Sequence, residues 1–280
     1  MIVYINGNYM RENEVKISPY DRGFLFADGI YEVMRTYNGR IFRIDDHLNR
    51  LAYSLKEIRI NNFNVNIIKT IIDELITRNN LKNDFAVYIQ VTRGVSIPRM
   101  HAFPPNDTEP TVYVSINPLF SKPDEINNGI RVILKVDIRW ARCDIKSISL
   151  LPSILANQSA KENGSSEAVF IREGYITEGS HTNFFAVKNK IVYTPPLSNF
   201  ILSGITRDLI IELCKSNSFE IREIDIEKTE LKNFDEFFIT GTTTEIKPVI
   251  QIDDWIVKNG KPGDMTKKIQ KAFFQYVSNY

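Results

Sequence analysis

EGSHTNFFAVKNKIVYTPPLSNFILSGITR, residues 178–207, decides how this chain folds. A strand enters at "ITE", a turn follows at Gly179, and "NFFAV" leaves as a second strand. "IVYT" (191–194) is a third short strand, and Pro195-Pro196 ends it. Ser203-Gly204 then precedes an apolar helical pattern, "SGITRDLIIELCK". Two features here can carry chemistry. Glu178 puts a carboxylate on a hairpin turn, where it can hold a heteroaromatic nitrogen protonated. The first turn of the helix leaves backbone N–H groups free at Ile205 and Thr206, a ready site for an anion. Taken singly, Glu178 is equally an ordinary turn acid and Gly204 an ordinary helix start.

Further along, "ITGTTTEIKP" (239–248) ends a strand in one glycine and three threonines, so Thr242 or Thr243 can complete an anion cradle. Upstream, "RCDIKSISLLP" (142–152) reads as the end of a strand running into a buried helix, with Pro152 tolerated in the helix's first turn. Its Lys146 stands among isoleucines and leucines. Lysine is rarely fully buried unless paired. Either it snorkels to water, or the fold brings an amine inside, where desolvation favours the free base and makes it a nucleophile.

The rest of the chain alternates strands and helices. "IVYIN" turns at Asn6-Gly7. Leu48, Leu51, Ala52 and Leu55 fall at helical spacing, with Asp45 as N-cap; Arg50 lies off that stripe, and His47 has no role beyond structure. Ile67, Ile68, Ile71, Ile72, Leu75 and Ile76 mark a second helix. Phe85, Val87, Ile89 and Val91, then Val112, Val114 and Ile116, alternate as strands. A segment rich in proline, glycine and Asx residues breaks the pattern. The expected organisation is a mixed α/β (α+β) chain of two domains, 1–119 and 130–280, joined by a linker at 120–129, with a ligand cleft at the domain interface.

Composition removes other classes. A net charge of +1 over 280 residues, with 25% charged residues, gives no electrostatic footprint for nucleic acid or anionic membrane. Cys143 and Cys214 are distant and form neither a disulfide framework nor a metal-type pair. The opening "MIVYINGNYM" lacks the basic and apolar regions of a signal peptide, and no apolar run reaches membrane-spanning length. A cytoplasmic location and no metal are expected.

Jointly, the spaced residues carry a resemblance. Glu178, Gly179, Asn183, Phe184 and Phe185, then Val192 and Thr194, then Leu202, Gly204, Ile205 and Arg207 match every element of the signature of the class IV (fold type IV) aminotransferases, which use pyridoxal 5'-phosphate. "YDRGFLFADGIYEVMRTYNGRIFRIDDHLNRL" is similar to the family's N-terminal block and "DIRWARCDIKS" to its lysine block. The resemblance implies Lys146 as the catalytic lysine that carries the cofactor, Glu178 on its ring nitrogen, and Arg50, Ile205, Thr206 and Thr242 around its phosphate. Within the family the chain looks most like the transaminases of D-amino acids. In that subgroup a tyrosine and an Arg-x-His loop from the partner subunit hold the substrate carboxylate; here these are Tyr31 and Arg99 with His101. The implied protein is a homodimeric, ping-pong transaminase of D-amino acids and 2-oxo acids. Branched-chain L-aminotransferase, (R)-amine transaminase and 4-amino-4-deoxychorismate lyase are the alternatives on the same fold. Two departures stand out: the Arg99 loop reads one residue longer than the family pattern, and His181 occupies a position where relatives often carry a small hydroxyl residue.

Overall fold

The chain opens as a hairpin, β1 (Ile2–Ile5) turning at Asn6-Gly7 into β2 (Asn8–Arg11). A short helix, α1 (Arg22–Phe26), is capped by the Asp21 carboxylate, which accepts the Gly23 N–H. It leads into β3 (Gly29–Tyr37) and β4 (Arg40–Ile41). Helices α2 (Ile44–Glu57) and α3 (Ile67–Asn79) precede β5 (Phe85–Thr92) and β6 (Thr111–Pro118). The six strands form one antiparallel sheet in the order β2-β1-β6-β5-β3-β4. Side chains two apart share a face, so Ile30 and Met34, Phe85 to Val91, and Val112 to Ile116 present one apolar surface. Leu48, Leu51 and Leu55 of α2, with Ile68, Ile71, Ile72 and Leu75 of α3, cover it. Each such side chain contributes about 1.5–3 kcal/mol of burial free energy.

The structure, a computed structural model, describes residues 1–119 and 122–280. They group into two units, Met1–Leu119 with Ile145–Ser149, and Phe120–Asp144 with Leu150–Tyr280. In the segment expected as a linker, residues 120 and 121 lie outside the described residues, and α4 (Pro123–Asn128) occupies most of the remainder.

The second unit follows with β7 (Ile130–Val136), α5 (Leu151–Glu162), β8 (Glu167–Arg172), β9 (Tyr175–Gly179), β10 (Asn183–Lys188) and β11 (Ile191–Thr194). Then come α6 (Ile205–Ser216), β12 (Ile221–Glu223), β13 (Ile226–Glu227), β14 (Glu236–Gly241), β15 (Glu245–Ile252), β16 (Trp255–Ile256) and α7 (Asp264–Ser278). The sheet order is β12-β11-β10-β14-β15-β7-β8-β9-β13, with β16 on β15. One further pairing, Glu178 opposite Asn183, joins β9 to β10 and closes six of the strands into a ring. Val132, Val169, Phe184, Phe237 and Val249 belong to one core cluster of this unit, while Ala168 and Phe170 meet Ala156 and Ala160 of α5 in another.

Several local expectations are corrected. Lys146 is not at a strand end: β7 stops at Val136, and residues 145–149 are irregular chain hydrogen-bonded to β3. Lys146, which the expected bounds put with residues 130–280, groups with the first unit. The helix that follows is not buried. Only its small residues, Ser153, Ala156 and Ala160, face the sheet, whereas Leu151 is 66%, Ile154 58% and Leu155 57% exposed. Asp45 does not cap α2; the cap position is Arg43, in the left-handed region, and Asp45 pairs with Lys69 at 2.6 Å. Arg50 is buried rather than on the helix surface. Among the described residues no helix is long and apolar enough to cross a membrane.

Candidate active site

Strand β3 sorts its residues by parity. Ile30, Glu32, Met34 and Thr36 are buried on the helix-covered side, while Tyr31 lies on the other. Chain 145–149 docks on the strand's start: the Tyr31 N–H donates to the Lys146 carbonyl at 3.0 Å, and the Ile148 N–H to the Gly29 carbonyl at 3.1 Å. The Lys146 N–H donates to Ser54 Oγ of α2 at 3.2 Å, and Ile145 enters the core. This fixes the half-buried Lys146 side chain with Nζ 4.2 Å from the centre of the Tyr31 ring. Among the described residues, Lys146 has no carboxylate partner. Tyr31 in turn stacks on Tyr88, with ring centres 6.0 Å apart.

On the buried side, Arg50 donates to both oxygens of Glu32, at 3.0 and 2.6 Å, and His47 Nδ1 lies 3.0 Å from Oε1. Burial alone would raise the Glu32 carboxyl, but the Arg50 guanidinium overrides it and holds that carboxyl well below the usual range. Burial pushes His47 down, and its Nδ1, facing the Glu32 carboxylate, is the donor.

The Arg99-x-His101 loop is anchored from beneath. Buried Arg22 donates through Nη1 to the Met100 and Ala102 carbonyls (2.7 and 3.2 Å), through Nη2 to the His101 carbonyl (3.2 Å), and through Nε to Asp28 (2.8 Å). Asp28 also binds Arg93, which donates to the carbonyls of Ile58 and Arg59. Arg99 and His101 both stand on Phe26, at 4.4 and 5.3 Å from its ring centre. Tyr31 and Lys146 are thus brought together, while the two loop residues gather on Phe26.

In the second unit, Glu178 is buried where β9 meets β10. Its Oε1 accepts from Arg139 Nη1 at 2.6 Å; Oε2 accepts from the Leu202 N–H at 3.1 Å and from Asn183 Nδ2 at 3.4 Å. Burial pushes its carboxyl up to about 7, only partly opposed by Arg139, whose charge is shared with Asp137. Asn183 also donates to the Leu202 carbonyl at 2.9 Å. A Cβ on Gly204 would collide with the Asn183 amide oxygen, so only glycine lets α6 start this close. Among the described residues no side chain caps α6, leaving the first-turn N–H groups of Ile205 and Thr206 available. Thr240, opposite Asn183 on β14, has a buried hydroxyl without a partner among the described residues. Half-buried Thr242 follows in the turn before β15.

Four supporting residues escaped sequence reasoning. Glu32 had a legible signal, an acid on the apolar side of an alternating strand between Ile30 and Met34. Arg139, Asp137 and Glu167 had none, because charged residues at strand ends are usually solvated and only the tertiary fold buries the two acids and half-buries the arginine.

The family model for class IV aminotransferases matches residues 29–252. A D-alanine aminotransferase of Bacillus licheniformis is 41% identical over 97% of this chain and 95% of its own length. One of Staphylococcus haemolyticus is 37% identical over 99% and 98%. Among solved structures, the branched-chain amino acid aminotransferase of Escherichia coli superposes with a TM-score of 0.88 at 28% identity, over 99% of this chain and 94% of that one. That of Thermobaculum terrenum, in its PLP form, gives 0.86 at 26% over the same shares.

Proposed function

The chain belongs to the class IV aminotransferases, and we propose that within this family it is a D-amino-acid transaminase, exchanging the amino group between D-amino acids such as D-alanine and D-glutamate and 2-oxo acids such as pyruvate and 2-oxoglutarate. The observation that carries this is the likeness, along nearly the whole chain, to proteins named D-alanine aminotransferase at 37% and 41% identity. The solved structures of branched-chain enzymes share the architecture at lower identity.

Pyridoxal 5'-phosphate is the family's cofactor, and the residues present fit it. An amine without a carboxylate partner (Lys146), a buried acid pushed up to about 7 (Glu178), an uncapped helix start and an unpartnered buried hydroxyl (Thr240) are groups a phosphorylated pyridine aldehyde would satisfy. When bound, it supplies an electrophilic aldehyde carbon and a sink for the electrons of a breaking Cα–H bond. We assign Lys146 Nζ to carry the cofactor, then to take the substrate's α-proton and give it back. The Tyr31 ring keeps that amine in place. Glu178 would hold the cofactor's ring nitrogen through a shared proton, and Arg139 keeps its carboxylate turned inward. Arg50, the Ile205 and Thr206 N–H groups and the Thr242 hydroxyl would hold the phosphate.

The Tyr31 hydroxyl, the Arg99 guanidinium and the His101 imidazole take the substrate α-carboxylate. In this reading the enzyme is a homodimer whose Arg99–His101 loop serves the partner's site. Exposed Leu151, Ile154 and Leu155 suit a chain that buries further surface against a second copy. Incubating the protein with D-alanine and 2-oxoglutarate should yield pyruvate and D-glutamate, and Lys146→Ala should abolish both the reaction and the visible absorbance of the bound cofactor. Persistence of that absorbance in the variant would refute the lysine assignment.

A further inference from the structure

Beneath the turn from β9 to β10 lies Glu167, 1% exposed. Its Oε1 accepts from the N–H groups of Ala168 (2.7 Å) and Ser180 (3.2 Å) and from the Ser180 hydroxyl (2.5 Å). Its Oε2 accepts from the Thr182 hydroxyl at 2.9 Å and lies 3.0 Å from His181 Nδ1. Among the described residues no lysine or arginine pairs with it. A buried carboxylate calls for a compensating charge, and the imidazole of His181 is the group placed to supply it.

The tautomer follows from the bonds. The Ser180 hydroxyl spends its hydrogen on Glu167, so at 3.0 Å from His181 Nδ1 it can only accept. Nδ1 therefore carries the proton, shared between Glu167 and Ser180, and Nε2 is directed away from the buried carboxylate. The His181 side chain is 52% exposed, so that edge is open. A carboxylate on one nitrogen orients the ring and leaves the other to face a ligand.

The turn is held close to the threonine turn that follows β14. A side chain on Gly179 would collide with Thr182 and crowd Glu167, and a Cβ on Gly241 would come within 3.5 Å of the His181 carbonyl. We propose that His181, oriented by Glu167, is a further ligand of the cofactor's phosphate monoester, donating from Nε2 as an imidazolium. This rests on the assignment of Thr242 and the α6 start as the phosphate cradle. Glu167 acts as a positioning residue, and the salt link Glu167–His181–phosphate gives the buried carboxylate its countercharge.

The test is binding of pyridoxal 5'-phosphate and of unphosphorylated pyridoxal to the cofactor-free full chain, followed by absorbance, with inorganic phosphate as competitor. The wild type should prefer the phosphorylated form strongly. His181→Phe should lose about 10- to 100-fold in affinity for pyridoxal 5'-phosphate and bind inorganic phosphate less well, while pyridoxal binds as before. His181→Gln, which keeps an N–H donor, should recover part of the loss. Glu167→Gln should lower the same preference in the wild type and change nothing further in His181→Phe. An unchanged preference in His181→Phe, or an equal loss of both ligands, would overturn the proposal and leave His181 a structural part of the turn. A wild type that binds both forms equally would overturn the cradle itself, and His181 with it.

Discussion

Glu178 is a carboxyl group whose burial favours its proton even with the Arg139 guanidinium beside it. Burial raises it to about 7, whereas in the unfolded chain a glutamate titrates near about 4.3. Below about pH 4 the group is protonated in both states and costs nothing; between about 4 and about 7 only the unfolded chain gives up the proton, so folded stability falls as pH rises through that window. In cofactor-free protein, the stabilisation of Glu178→Gln relative to wild type should grow from about pH 4 to about pH 7 and then level, measured by thermal unfolding. A difference independent of pH would show that the buried carboxyl titrates normally. Glu32 is the opposite case, ionised and held low by Arg50 despite its burial. Glu32→Gln leaves a buried guanidinium without its carboxylate and should cost about 3–5 kcal/mol in urea unfolding. That cost should shrink as pH falls below about 4.3, because the unfolded wild-type chain takes up a proton there that the folded Glu32, held low by Arg50, does not.

The loop carrying Arg99 and His101 owes its shape to one side chain beneath it. Three consecutive carbonyls, those of Met100, His101 and Ala102, accept from the Arg22 guanidinium. Lysine offers a single point charge in place of that planar fork. Arg22→Lys should therefore raise KM for D-alanine about tenfold while kcat changes little, the pattern of a lost carboxylate contact rather than of damaged chemistry. Unchanged kinetics would mean the loop holds itself. Elements with a clean period were legible in the sequence: β5 and β6 alternate, and α2, α3 and α6 carry helical stripes. What failed was the direction in which a side chain points. The apolar pattern of α5 read as buried because leucine and isoleucine outweigh alanine in any such count, yet the small Ala156 and Ala160 are what let that helix approach Phe170. Lys146, Glu178 and the helix start at Gly204 were legible through their joint spacing. Their supports at Arg139 and Glu167 were not, because one lone acid or base looks the same in sequence whether it is solvated or sealed.

At the scale of the molecule the account needs two copies of the chain and one handedness of substrate. If the Arg99–His101 loop serves the partner's site, inactive Lys146→Ala and inactive Arg99→Ala proteins, unfolded and refolded together, should regain about a quarter of wild-type activity, because random pairing makes half the dimers mixed and each mixed dimer has one intact site. No recovery would place the loop over its own site. Handedness is the central claim, and one half-reaction tests it most directly. The cofactor-loaded protein is mixed with a single amino acid and no 2-oxo acid, and the loss of the visible absorbance of the bound cofactor is followed over time. The account predicts rapid loss with D-alanine and D-glutamate and none on the same timescale with L-leucine. Rapid loss with L-leucine and silence with the D-amino acids would contradict it and give the chain the substrate class of its branched-chain structural relatives.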